Sequence, residues 1–367
     1  MAPKKSVSVT KSSTGLSAEE KLRYARHLTL PGVGEEGQLK LKQAKVLVIG
    51  AGGLGSPVLN YLGAAGVGHV TVIDDDVVEE SNLQRQTIHT VADLGRPKVD
   101  SAKDALARLN PFVQVTPIRA RLTPDNAVEL FGQHDLVIDG TDNFATRYLS
   151  NDAAELTGTP LVWGTIMQFE GQISVFDPNN GPMLRDLFPD IPPADAVPSC
   201  AVGGVFGALA GLVGSMLAIE TLKVITGVGE VAVGKLLLVD ALTLSQRTLV
   251  FARDPGRPPV TGLEHMAQVC AAATPVPTTV APQGMLIDVR TPEETSSGII
   301  PGATPFPLDV LQRDPGVVEP YLGNVITVYC QSGVRSATAV RLLQERFPDG
   351  RFFSLQGGFS AWGAQRG

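Results

Sequence analysis

Cysteine is scarce in this 367-residue sequence. There are three, Cys200, Cys270 and Cys330, far apart and without a CxxC pair. That excludes a disulfide scaffold and a structural zinc site built on paired thiolates. An odd count of free thiols suits a reducing, cytoplasmic setting. Positive charge is in deficit, with 30 Lys and Arg against 37 Asp and Glu and a net charge of −7. A nucleic-acid partner held by a global basic field is excluded on that balance. The opening MAPKKSVSVTKSSTGLS has no apolar core of a secretory leader, so residues 1–17 read as a disordered tail. Long hydrophobic runs are rare too. Ala201 to Ile219 is free of charge for 19 residues, but carries five glycines and no flanking Arg/Lys cluster or Trp/Tyr belt. It reads as a buried core helix rather than a membrane span.

What is present is an ordinary globular mixture, 43% hydrophobic and 18% charged, long enough for two domains. Ser17 and Glu20 form a capping-box pattern before a short helix over 17–30. KVLVIG (45–50), HVTVIDDD (69–76), QVTPIRA (114–120) and DLVIDG (135–140) read as strands, with helices at 56–66 and 97–109 between them. That alternation predicts an α/β fold with a doubly wound, Rossmann-like parallel sheet. PLVWGTI (160–166) and GQISVFD (171–177) then suggest an antiparallel pair, making the sheet mixed, and 235–253 closes the domain. The Pro-rich stretch 254–283 reads as a linker. A second α/β pattern follows, with strands at 285–290, 324–330 and 351–355 and a helix at 336–347.

Gly50-Ala51-Gly52-Gly53-Leu54-Gly55 follows a strand and opens a helix. Such a loop brings backbone close to phosphate and aims helix N–H groups at it. Asp74 ends the next strand at a spacing suited to a ribose hydroxyl. On these two features a dinucleotide oxidoreductase leads. Asn82 and Arg85 in the SNLQRQ loop, Lys98 at a helix start, and Asp142-Asn143 beyond a strand end change the balance. Two cations and a carboxylate suited to Mg²⁺ fit a triphosphate better than a nicotinamide dinucleotide.

IGAGGLG, DDDVVEESNLQRQ, GRPK and DGTDN, in this order, resemble the ThiF/MoeB adenylyltransferases, relatives of ubiquitin-activating enzymes, over about residues 19–253. The resemblance implies a homodimer that binds ATP and Mg²⁺ and adenylates the C-terminal glycine of a small ubiquitin-like sulfur carrier ending in Gly-Gly (MoaD-, ThiS- or CysO-like). It implies that Gly50, Gly52, Gly53, Gly55 and Asp74 bind the nucleotide, with Asn143 beside it. Asn82, Arg85 and Lys98 would contact phosphates, Asp142 would hold Mg²⁺, and Arg26 of RYARHL would act across the dimer interface. Attack of a carboxylate on the α-phosphate brings two anions together, which is why cations and Mg²⁺ are needed. A carboxylate is already ionised at neutral pH, so no general base is required. Many relatives carry zinc on two CxxC pairs. The matching positions here are Met183, Asp186, Arg257 and Val260, and no zinc is expected. PLVWGTI with RDLFPDIPPADAVPSC is similar to the zinc-free actinobacterial branch often called MoeZ.

Cys330 opens Cys330-Gln331-Ser332-Gly333-Val334-Arg335-Ser336 between a strand and a helix. A helix N-terminus favours a thiolate, and Arg335 adds positive charge. LIDVR, IPGA, YCQSGVRS and LQGGFSAW resemble a rhodanese domain over 284–367, whose cysteine carries a persulfide sulfur. The segment ahead of LIDVR is short, and Ile299 stands where many relatives have His. Cys200 precedes a helix start, and the resemblance allows it a part in sulfur transfer.

The expectation is a bifunctional enzyme, with an adenylyltransferase domain over 18–253, a linker over 254–283 and a rhodanese-like domain over 284–367. The carrier's terminal carboxylate becomes an acyl-adenylate. Sulfur from a donor such as thiosulfate or a persulfide passes through Cys330, and the carrier ends as a thiocarboxylate. The flexible linker would let Cys330 reach the adenylate. Molybdopterin, thiamin, cysteine and natural-product pathways all use activators of this kind. The alternative is adenylation alone, with an inactive C-terminal domain. A nucleotide-binding scaffold without turnover would bind ATP without carrier-dependent pyrophosphate exchange.

Overall fold

The computed structural model describes residues 15–192, 204–273, 276–296 and 298–364. The chain divides at Cys270 and Ala271 into two compact units.

The first unit is built on eight strands: β1 (Lys45–Ile49), β2 (His69–Ile73), β3 (Gln114–Ile118), β4 (Leu136–Asp139), β5 (Leu161–Met167), β6 (Glu170–Phe176), β7 (Lys235–Asp240) and β8 (Ser245–Val250). Their order across the sheet is β3-β2-β1-β4-β5-β6-β7-β8. The first five are parallel, and β6, β7 and β8 continue antiparallel. β1 is apolar throughout its buried length because both its faces are covered. Val46 and Val48 enter one core, Leu47 and Ile49 the other. The chain leaves β1 towards β2 and returns on its far side with β4. That reversal opens a crevice at the C-terminal ends of β1 and β4, where ligands bind in open α/β sheets.

The apolar segment becomes the helix Gly207–Thr226. It packs on the helix Gly55–Ala65 and on β5 and β6. Leu209, Val213 and Leu217 are buried, but Leu212 and Ile219 are 40% and 55% exposed. The expectation of a helix buried on nearly all sides is corrected to one with an open apolar face.

The reading of 254–283 as linker is also revised. It contains the helix Glu264–Ala273, and Leu263 and Met266 join the first unit's core beside Tyr148 and Trp163. Prolines at both ends obscured the helical spacing of Leu263, Met266, Val269 and Cys270. The same stretch supplies β9 (Thr278–Thr279) to the second unit. There β10 (Met285–Asp288), β11 (Ala303–Pro305), β12 (Val325–Tyr329) and β13 (Arg351–Leu355) complete an all-parallel sheet of order β11-β10-β12-β13-β9.

Candidate active sites

In the first unit, Gly50 turns the chain out of β1 at φ +91°. The loop then curls so tightly that a Cβ on Gly55 would lie 2.0 Å from the Gly50 carbonyl oxygen. The N–H groups of Gly52, Gly53 and Leu54 have no acceptor among the described residues. Free N–H groups ahead of a helix form an anion cradle.

Asp74, at the end of β2, accepts a hydrogen bond from Ala51 N (2.8 Å) and another from Asp76 N (2.9 Å). Burial pushes its carboxyl above the ordinary Asp range, against the pull of Lys98 and of the Ala51 N–H. Lys98 begins the helix Lys98–Leu109 and is 5% exposed. Its Nζ donates to Asp76 Oδ2 at 2.8 Å. The stem of Arg85 lies against Gly53, whose added Cβ would meet Arg85 Cγ at 3.5 Å. Asn82 is buried and caps its own turn by accepting from Glu79 N. Glycine loop, Asp74, Arg85 and Lys98 are therefore gathered near the C-terminal ends of β1 and β2.

Asp142 is exposed in the loop after β4. Asp139 Oδ1 holds that loop by accepting from Thr141 N and Oγ1, at 2.9 and 2.7 Å. Buried Arg147 donates to the Thr141 carbonyl at 3.1 Å. Asn143 is the N-cap of the helix Phe144–Thr157, its Oδ1 accepting from Thr146 N. Arg26 is exposed on the short helix Ala25–Leu28, its guanidinium without a partner among the described residues. Cys200 lies outside the described residues.

His89 escaped sequence reasoning because its spacing matches no metal or triad pattern. Its Nε2 reaches the Ala51 carbonyl (3.0 Å) and its Nδ1 reaches Ser101 Oγ (2.8 Å). Burial lowers its pKa, so the ring is neutral and donates from Nε2 to the glycine loop. Gln86 is 4% exposed beneath Gly52, and its Oε1 is unpartnered.

The four positions matched to zinc ligands also meet. Arg257 Nε donates to Asp186 Oδ1 at 2.8 Å, and Arg257 pairs with Glu155 at 3.0 Å. Met183 N donates to Asp186 and Val260 N to Glu155. Burial pushes the Asp186 carboxyl up, but the Met183 N–H and Arg257 together hold it below its ordinary range. A guanidinium already occupies the space between the two carboxylates.

In the second unit, Cys330 follows β12 and is 1% exposed. Its Sγ accepts from Gly333 N at 3.1 Å, with Ser336 Oγ at 3.7 Å. Gly333 takes φ +102° and starts the helix Val334–Arg346. A Cβ on Gly358 would lie 2.3 Å from the Cys330 carbonyl, which explains glycine in LQGGF. Arg335 is bound to Glu294 through both nitrogens, at 2.6 and 2.5 Å. Hydrogen bonds from Arg335 hold the Glu294 carboxyl at about 2, against burial. Arg290, 1% exposed, bonds Asp288 at 2.8 Å, Gly298 O at 2.7 Å and Gln331 Oε1 at 3.3 Å.

The family model described as ThiF matches residues 24–258. The chain belongs to the ThiF family. A model described as a rhodanese-like domain matches residues 278–365. Over 375 aligned residues the chain is 47% identical to the probable adenylyltransferase/sulfurtransferase MoeZ of Mycobacterium tuberculosis, covering 96% of this chain and 95% of that protein. The ThiF part is 54% identical over 251 residues to the sulfur carrier protein adenylyltransferase of Thermus thermophilus, covering 67% of this chain and 92% of that one. Its fold is that of E. coli MccB, solved with AMPCPP and MccA. The TM-score is 0.57 at 21% identity, over 65% of this chain and 74% of that chain. The ThiF-family protein described here is thus an adenylyltransferase carrying a sulfurtransferase domain. The glycine loop and the Cys330 loop are the two places where its residues suit those chemistries.

Proposed function

We propose that this enzyme activates a small ubiquitin-like sulfur carrier ending in Gly-Gly. The carrier's terminal carboxylate attacks the α-phosphate of ATP, pyrophosphate leaves, and an acyl-adenylate results. The single observation that carries this reading is the convergence of the free-N–H glycine loop, Asp74, Arg85 and buried Lys98 at one crevice. Asp74 would take the ribose, and Asn82, Arg85 and Lys98 the phosphates. Mg²⁺, held by Asp142 when bound, would neutralise phosphate charge; an exposed carboxylate on a pinned loop suits that hard cation. The Asp186–Arg257–Glu155 clasp stands where relatives place zinc, so no zinc is assigned.

Cys330 then accepts sulfane sulfur from a donor such as thiosulfate or a persulfide. The persulfide's terminal sulfur displaces AMP, leaving the carrier joined to Cys330 through an acyl disulfide. The Cys200 thiolate would attack the Cys330 sulfur, forming a Cys200–Cys330 disulfide as the thiocarboxylate leaves, and an external thiol would reduce that disulfide. A homodimer is proposed. Its support is the exposed apolar face of the helix Gly207–Thr226, and Arg26 would enter the partner's site. A cytoplasmic setting is proposed, supported by three cysteines without a CxxC pair.

The test is the intact mass of a Gly-Gly carrier after incubation with the enzyme, Mg·ATP and a sulfur donor. Replacement of one oxygen by sulfur is expected. Carrier-dependent ATP–pyrophosphate exchange without that mass change would sink the sulfur-transfer half and leave adenylation alone.

A further inference from the structure

The two arginines bonded into the Cys330 loop, Arg335 within it and Arg290 through Gln331, are each paired with a carboxylate. The sequence has no lysine after Lys235, so only arginines serve here. Arg335 is held by Glu294 through two bonds, and its guanidinium also interacts with the Cys330 sulfur. Arg290 is spent on Asp288, Gly298 O and Gln331 and is buried beneath the ring of Phe359, 4.0 Å from its centroid. Arg313 and Arg346 pair with Asp309 and Glu319. Arg351 opens β13, which runs parallel to β12, and pairs with Val325, so it lies at the opposite end of the strands from Cys330. Gln331 and Ser332, the exposed residues at the mouth, are neutral. Exposed Glu293 adds a negative charge beside Glu294.

Thiosulfate is a dianion and must approach a thiolate. Uncompensated positive charge would favour that approach, and the charges of Arg290 and Arg335 are offset by Asp288 and Glu294. A thiol persulfide brings at most one charge at its reacting sulfur. The loop N–H groups, such as Gly333 N on Sγ, serve that single charge.

We infer that Glu294 is a specificity-determining residue: by neutralising Arg335 it tunes Cys330 away from dianionic donors such as thiosulfate and towards thiol persulfides. This rests on the reading of Cys330 as the sulfur acceptor. The Cys330 thiolate attacks the outer sulfur of R–S–SH. The new S–S bond forms as the donor's S–S bond breaks, and its electron pair leaves on R–S⁻. The products are Cys330–S–SH and a thiolate, with no outside oxidant or reductant.

The experiment measures the rate at which the full-length enzyme gains one sulfur by intact mass, with thiosulfate or the persulfide of 2-mercaptoethanol, whose only charge is at its reacting sulfur, as donor. Cys330→Ser supplies the background. Wild type is expected to load from the persulfide with a kcat/KM at least about tenfold above thiosulfate. Glu294→Gln keeps the acceptor for Thr291 N that Glu294 now provides at 2.9 Å, so its turn is preserved. It is expected to raise kcat/KM for thiosulfate about tenfold, chiefly through KM, and to change the persulfide value by less than about twofold. Adding Arg335→Gln to it is expected to abolish the gain. Equal use of both donors by wild type would overturn the inference. So would a Glu294→Gln effect that is absent or the same for both. Loading of Cys330 by neither donor, with pyrophosphate exchange intact, would remove the sulfur-acceptor reading itself and the inference with it.

Discussion

His89 contacts no substrate in this reading, yet it fixes the carbonyl of Ala51 from inside the protein. Removing the ring leaves the buried Ala51 carbonyl unpaired, a cost of about 1–3 kcal/mol. His89→Ala is expected to weaken ATP binding about tenfold, because the loop that presents the N–H groups loses its support. Equilibrium binding of ATP checks this, and an unchanged Kd would deny His89 a positioning role. Lys98 is the cation the triphosphate should feel most. Lys98→Ala is expected to slow carrier-dependent pyrophosphate exchange by about 10²–10³, the scale for losing one preorganised charge-stabilising donor. Glu294 gives a pH signature. Its folded pKa of about 2 lies below the ordinary 4.5, so the ion pair stabilises the rhodanese-like unit above pH 4.5. That contribution fades as pH falls from 4.5 towards 2. Acid denaturation followed by near-UV circular dichroism should therefore show a shallower dependence in Glu294→Gln over that window.

At the scale of elements, the Asp186–Arg257–Glu155 clasp joins the turn at Leu184–Leu187 to the chain after β8 and to the helix Phe144–Thr157. Asp186 is fully buried and the Arg257 side chain is 12% exposed. Breaking a buried pair strands a charge, so Arg257→Ala should lower the first unit's stability by about 3–5 kcal/mol. Urea unfolding measures it. EDTA should leave the melting temperature of the wild-type enzyme where it is, and a drop on chelation would show that metal, not the guanidinium, holds the segment. Strands β1, β2, β4, β10 and β12 were legible in sequence because each is an apolar run covered on both faces and stopped by a turn. The glycine loop and the Cys330 loop were legible because glycine, Asp74 and Cys330 sit at fixed offsets from those strands. The helix Glu264–Ala273 was hidden by proline on either side. The tertiary roles of His89, Asp76 and Glu294 were not legible: each acts on a group 22 to 41 residues away, and local spacing holds no sign of a tertiary partner. Glu294 left one trace, the capping box Thr291-x-x-Glu294, which marks a helix start but not the arginine it binds.

For the whole molecule, the open question is how many chains make one adenylation site. The helix Gly207–Thr226 presents Leu212 and Ile219 to solvent, on an element otherwise committed to the core. Large apolar side chains on one helix face favour burial against a second copy, and closed two-fold dimers are the commonest form of such association. Leu212→Asp with Ile219→Asp should shift the enzyme to a monomer in sedimentation. The sharper prediction concerns Arg26, which is exposed and whose proposed role lies in the partner's site. If so, Arg26→Ala and Lys98→Ala each inactivate both sites of a homodimer. In a mixture the two variants exchange chains, and half the dimers become mixed. Each mixed dimer holds one crevice with both cations intact, Lys98 from one chain and Arg26 from the other. Pyrophosphate exchange should then recover to about a quarter of the wild-type rate, as random pairing of two-fold dimers requires. Activity that stays at the sum of the two variants would place Arg26 at its own chain's site, and the apolar helix face would need another partner.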